Sequence, residues 1–196
     1  GDRVGEIADS LGVDAEIVPL SARLSDYRLI AFDMDSTLIT IECIDEIAEF
    51  AGKKAEVAAI TEAAMRGEIA DYNESLRRRV ALLAGLPEST LQRVYDERVR
   101  LSPGAEALIV AARAAGLKIL LVSGGFTFFT ERLAARLHLD FTRSNTLEIA
   151  DGRLTGRVLG EIVNADMKRR VVEETCAAVG CTPAQAIVVG DGANDL

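Results

Sequence analysis

Little in this sequence points toward a membrane, a disulfide framework or a nucleic acid. Its 196 residues hold no apolar run near the roughly 20 needed to span a bilayer, and the N-terminus lacks a basic stretch followed by an apolar one. A cytoplasmic location is expected. Cysteine occurs only at 43, 176 and 181, an odd number without metal-type pairing. Neither a disulfide framework nor a zinc site is supported, and the three read as free, mostly packed thiols. Basic residues are outnumbered, 22 Lys and Arg against 31 Asp and Glu, for a formal charge of −9. Such a balance disfavours partners bound through a broad basic surface, nucleic acid and anionic membrane among them. The single histidine, His138, lies near a helix end and reads as structural or exposed.

What is present is an ordinary globular composition, 49% hydrophobic and 27% charged, in a chain long enough for one core domain carrying a small insertion. From Arg28 the run Leu29-Ile30-Ala31-Phe32 reads as a strand buried on both faces, ending at Asp33. Two more such runs follow: Leu117 to Val122 stops at Ser123-Gly124-Gly125, and Ala186 to Val189 stops at Gly190-Asp191-Gly192. Helical stretches lie between them, one opening at Ser102-Pro103-Gly104, with serine as cap and proline in the first turn, and closing at Gly116. The alternation predicts an α/β fold with a parallel sheet, whose ligands sit beyond the carboxyl ends of the strands. Residues 44–100 break the alternation with an Ala-, Glu- and Arg-rich helical insertion, and residues 1–26 read as a linker or the tail of a preceding segment. Around Asp151-Gly152, residues 147–158 predict a small projecting hairpin.

Each strand run ends in residues fit for chemistry. Asp33 and Asp35, two apart, can converge on a hard cation such as Mg²⁺, with Asp191 as a third acid from another strand end. Alone, Asp-x-Asp is more often a strand-to-loop turn. Ser123-Gly124-Gly125 suits a phosphate, because glycine admits close approach to backbone N–H groups; alone it is more often a turn and a cap. Lys168 on its own reads as a surface lysine.

Taken in order, Asp33-Met34-Asp35-Ser36-Thr37, Ser123-Gly124-Gly125, Lys168 and Gly190-Asp191-Gly192-Ala193-Asn194-Asp195 resemble the four motifs of the haloacid dehalogenase superfamily. The longer strings, including Glu42-Cys43-Ile44-Asp45-Glu46-Ile47-Ala48, resemble its phosphoserine phosphatases. The resemblance implies a Rossmann-like parallel sheet core, residues 27–43 and 101–196, with a small helical cap domain, residues 44–100, inserted after the first strand. It implies hydrolysis of O-phospho-L-serine, a small-molecule substrate, through an aspartyl-phosphate, as the last step of serine biosynthesis.

Asp33 would then be the nucleophile and Asp35 the general acid and base. Mg²⁺ would sit on Asp33, the Asp35 carbonyl and Asp191, while Ser123, the Gly124 backbone and Lys168 would hold the phosphoryl oxygens with help from Asn194. Asp195 would orient Lys168 or the metal's waters. Asp35 must carry a proton in the first step, so its pKa is expected to be raised. Glu42 is implied for the substrate ammonium and Arg79 for its carboxylate; only one arginine of Arg77-Arg78-Arg79 can aim inward from a helix. Met65 and Tyr72 fall where the family places apolar residues over the substrate. Two rival readings use the same fold: a phosphatase or phosphotransferase for another small phosphomonoester, and a catalytically silent metabolite-binding module. Family chains continue past Asp195-Leu196 with a further helix and strand, so the C-terminal end is expected to be truncated.

Overall fold

The computed structural model describes residues 21–191. Its centre is β1 (Leu29–Phe32), in which no residue is more than 3% exposed. Leu29 and Ala31 pack on one face against Val163, Met167 and Val171, whereas Ile30 and Phe32 join the larger cluster on the other. Successive side chains of a strand point to opposite faces, so a continuous apolar run results wherever both faces are covered.

Around β1 lie β2 (Lys118–Phe126), β3 (Phe141–Ala150), β4 (Arg153–Leu159) and β5 (Ala186–Val189), in the order β4-β3-β2-β1-β5. All neighbours pair in parallel except β3 and β4. Between β1 and β2 the chain forms α1 (Cys43–Phe50), α2 (Lys54–Met65), α3 (Tyr72–Ala81), α4 (Ser89–Arg98) and α5 (Ala105–Ala114). After β2 comes α6 (Thr127–Leu137), and α7 (Ala165–Val179) leads back to β5. The α/β fold with a mainly parallel sheet is as expected.

One local expectation is met and two are corrected. The hairpin forms around Asp151-Gly152 as expected: the first half of β3 pairs in parallel with β2, and its second half runs beyond that pairing and turns back on β4. The turn residues Asp151 and Gly152 have φ of 51° and 71°, the tight mirror-image turn favoured by strand twist. Strand β2 does not stop at Val122 but runs through Ser123-Gly124-Gly125 to Phe126, with a shift of register on the way. Finally, α5 is preceded not by a serine cap but by Gly104 at φ 82°, with the Ser102 carbonyl accepting the Ala105 N–H at 3.1 Å.

The segment between α3 and α4 covers the outer edge of β4. Gly85 N–H donates to the Leu154 carbonyl and Leu154 N–H to Leu86, both at 2.8 Å. This occupies backbone groups that an edge strand otherwise leaves open. It also ties the helices after β1 to the sheet.

Candidate active site

The carboxyl ends of β1, β2 and β5 border a cavity of about 210 Å³ lined by Asp33, Asp35, Ser123, Gly124, Lys168 and Asp191, with Glu42 and Arg79. Of the described site residues expected from the sequence, all but Met65 are therefore gathered in one place. Asn194 and Asp195 lie outside the described residues.

Asp33 follows β1 directly, and its N–H donates to the Val189 carbonyl at 3.0 Å, tying it to β5. Its Oδ1 accepts the Met34 N–H at 2.7 Å, capping the turn Met34–Leu38, while Oδ2 lies 3.0 Å from the Lys168 Nζ. Both side chains of this ion pair are only 12% exposed. Lys168 reaches Asp33 from the first turns of α7, where Asn164 accepts the Met167 N–H at 3.0 Å. A cation near a helix N-terminus is disfavoured by the dipole, so its carboxylate partner offsets that cost.

Asp35 is aimed by the same turn, which Ser36 reverses at φ 55°. Its Oδ1 accepts the Cys43 N–H at 3.3 Å. Burial first, then the charge of Glu42 and more weakly that of Asp33, push its pKa up to about 7 against the opposing pull of the Cys43 contacts. A carboxyl so placed can keep its proton near neutrality. Glu42, just before α1, turns its carboxylate into the cavity and accepts from the Ser36 hydroxyl at 2.5 Å. Its pKa is also raised, chiefly by burial and further by Asp45 and Asp191, with the Ser36 hydrogen bond and the Arg79 charge opposing.

The end of β2 makes the opposite wall. The Ser123 hydroxyl, buried, accepts the Gly125 N–H at 2.9 Å. A Cβ on Gly124 would come 2.4 Å from the Tyr72 hydroxyl, and one on Gly125 would come 3.2 Å from Asp35 Oδ2 and 2.5 Å from the Met34 methyl. A side chain at either position would push on the Tyr72 hydroxyl or the Met34 methyl and narrow the cavity, so the two glycines keep it open. Of the three arginines on α3, Arg77 and Arg78 are exposed, Arg78 paired with Glu74, and Arg79 alone lines the cavity. Tyr72 lines it too. Met65, by contrast, is 84% exposed and does not.

Among the described residues no three His, Cys, Asp or Glu side chains gather into a metal-holding cluster. The expected set asks for only two carboxylates, Asp33 and Asp191, with the Asp35 carbonyl. These are all oxygen donors, the ligand chemistry of a hard divalent cation. Thr37 Oγ1, at 3.5 Å, stands beside Asp191 Oδ1.

Several contacts here have no sequence signal. Ser36 to Glu42, Thr37 to Asp191 and Asn73 to Asn164 (3.2 Å) join polar residues that a pattern search passes over. So do the two hydrogen bonds of Asn145, to Gly124 and Val163.

Paired acids, a lysine and a glycine pair at the carboxyl edge of a parallel sheet suit a hydrolase of α/β fold that acts at phosphorus. The profile of the haloacid dehalogenase-like hydrolases matches residues 30–196, and the chain belongs to that family. It is 60% identical over 194 residues to a phosphoserine phosphatase of Albidiferax ferrireducens, covering 97% of this chain and 81% of that one. A haloacid dehalogenase family hydrolase from Salmonella enterica serovar Typhi superposes with a TM-score of 0.88 at 39% identity, covering 99% of this chain and 65% of that one. A phospho-aspartyl intermediate analogue of phosphoserine phosphatase superposes at 0.80, also 39% identical, covering 86% of this chain and 80% of that one.

Proposed function

We propose that this protein is a cytoplasmic, magnesium-dependent phosphatase that converts O-phospho-L-serine to L-serine and phosphate, closing the route of serine biosynthesis. One observation carries the reading. A single cavity holds Asp33, Lys168 and the glycine-floored loop together with an acid, Glu42, and a base, Arg79, from the α1–α4 region. Those two charges match the ammonium and carboxylate of an amino-acid head group, and the loop and lysine match its phosphate.

Asp33 attacks phosphorus while Asp35 gives its proton to the departing serine oxygen, so the P–O bond to serine breaks as the Asp33–phosphorus bond forms. Asp35, now ionised, takes a proton from the water that hydrolyses the aspartyl-phosphate, which restores both residues. The pKa near 7 suits a group that gives and takes a proton in turn. Ser123, the Gly124 N–H and Lys168 hold the phosphoryl oxygens throughout. A magnesium ion on Asp33, the Asp35 carbonyl and Asp191, when bound, supplies the positive charge that offsets these acids and the phosphate. Asn194 assists the phosphate side and Asp195 orients Lys168 or the metal's waters.

Residues 44–100 act as a cap on the core formed by 27–43 and 101–196, closing over substrate to exclude bulk water. The test is phosphate release from O-phospho-L-serine, O-phospho-L-threonine and a simple aryl phosphate, with magnesium and with a chelator. Strong preference for phosphoserine, lost with the metal, is expected. Indifference among the three substrates would remove Glu42 and Arg79 as specificity residues.

A further inference from the structure

Asn145 is a buried amide within β3, 1% exposed. Such a group is costly unless both its ends are bonded, and both are. Its Nδ2 donates to the Gly124 carbonyl at 2.8 Å, and its Oδ1 accepts the Val163 N–H at 2.9 Å. Gly124 lies where the pairing of β2 with β3 shifts register, between Val122 and Phe126. At such an irregularity the ladder no longer gives every backbone group a partner, and here a side chain takes its place.

Val163 immediately precedes Asn164, the cap of α7, whose carbonyl accepts the Lys168 N–H at 2.9 Å. A run of hydrogen bonds thus leads from the glycine loop, through Asn145, to the turn of helix that carries Lys168. We propose that Asn145 is a positioning residue that holds the Ser123-Gly124-Gly125 loop and the Lys168 helix at a fixed separation, so that both meet the same phosphoryl group. It touches no reacting atom. The inference rests on reading that loop as the phosphoryl cradle. Glu42 and Arg79 come from other elements, so loosening the loop weakens the phosphate end of the site and spares the head-group end.

The experiment compares Asn145→Ala and Asn145→Asp with wild type, measuring turnover of O-phospho-L-serine and inhibition by inorganic phosphate and by L-serine. Alanine adds no charge. Aspartate keeps an acceptor for the Val163 N–H, loses the donor to Gly124 and adds a charge that alanine lacks, so a loss of phosphate inhibition shared by both variants reports the missing hydrogen bond and not the charge. In both variants phosphate inhibition is expected to weaken about tenfold and kcat to fall about a hundredfold, with inhibition by L-serine unchanged. A merely structural role gives a different result: a partly unfolded preparation loses kcat per mole, but its folded fraction keeps both inhibition constants. Unchanged phosphate inhibition, or equal weakening for phosphate and serine, overturns the inference alone. Wild type that releases no phosphate from O-phospho-L-serine overturns the proposed function and this inference with it.

Discussion

Asp35 is buried, and that burial, more than the charges of Glu42 and then Asp33, lifts its folded pKa to about 7, above the unfolded value of 3.8. The folded state therefore keeps a proton that the unfolded state gives up, and the stability this supplies is complete below about pH 4 and lost as pH rises through about 7. Each pH unit of that window is worth about 1.4 kcal/mol at most. Asp35→Asn cannot titrate, so in the presence of chelator its stability relative to wild type should rise between pH 4 and 7 and then level off. Denaturant melts across that range check it; a constant difference would contradict the assigned environment. Asp33, Asp35 and Lys168 were legible because each stands at or near the end of a buried strand or in a short ordered motif. Ser36, Thr37 and Asn145 were not, since their partners are set by the fold and a single serine, threonine or asparagine carries no spacing to read.

At the scale of elements, α3 presents one arginine to the cavity and two to solvent, as its helical spacing requires. Arg79→Ala should raise the KM for phosphoserine roughly tenfold to a hundredfold, the worth of a charged hydrogen bond, with a smaller effect on an aryl phosphate. Arg79→Lys should restore only part of it, because an ammonium lacks the planar fork. In the β3–β4 hairpin, Gly152 at φ 71° should make Gly152→Ala cost about 1–2 kcal/mol by thermal or denaturant melting. The strand ends were harder to read than the strands. Glycine pairs read as stops, yet β2 continues through Gly124 and Gly125 to Phe126. Likewise the first half of β3 went unread, because Phe141 to Arg143 are exposed and lack the apolar run of a central strand.

For the molecule as a whole, the sheet gathers Asp33, Ser123 and Asp191 from positions far apart in sequence, and the helices after β1 bring Arg79 to the same cavity. No helix among the described residues is long and apolar enough to cross a membrane. Oxygen donors of like charge repel until a cation joins them, so magnesium at about a hundred times its dissociation constant should stabilise the folded protein by about 2.7 kcal/mol. Asp191→Asn should largely abolish that rise in Tm.

The measurement that bears most directly on the central claim pairs phosphate release with capture of the phosphorylated protein, in wild type and Asp33→Asn. The expected result is release by wild type, a fall of more than about a thousandfold in the variant, and a covalent phosphate on the wild-type peptide containing Asp33 alone. Equal release by both proteins, or a phosphate trapped on any other residue, would contradict it.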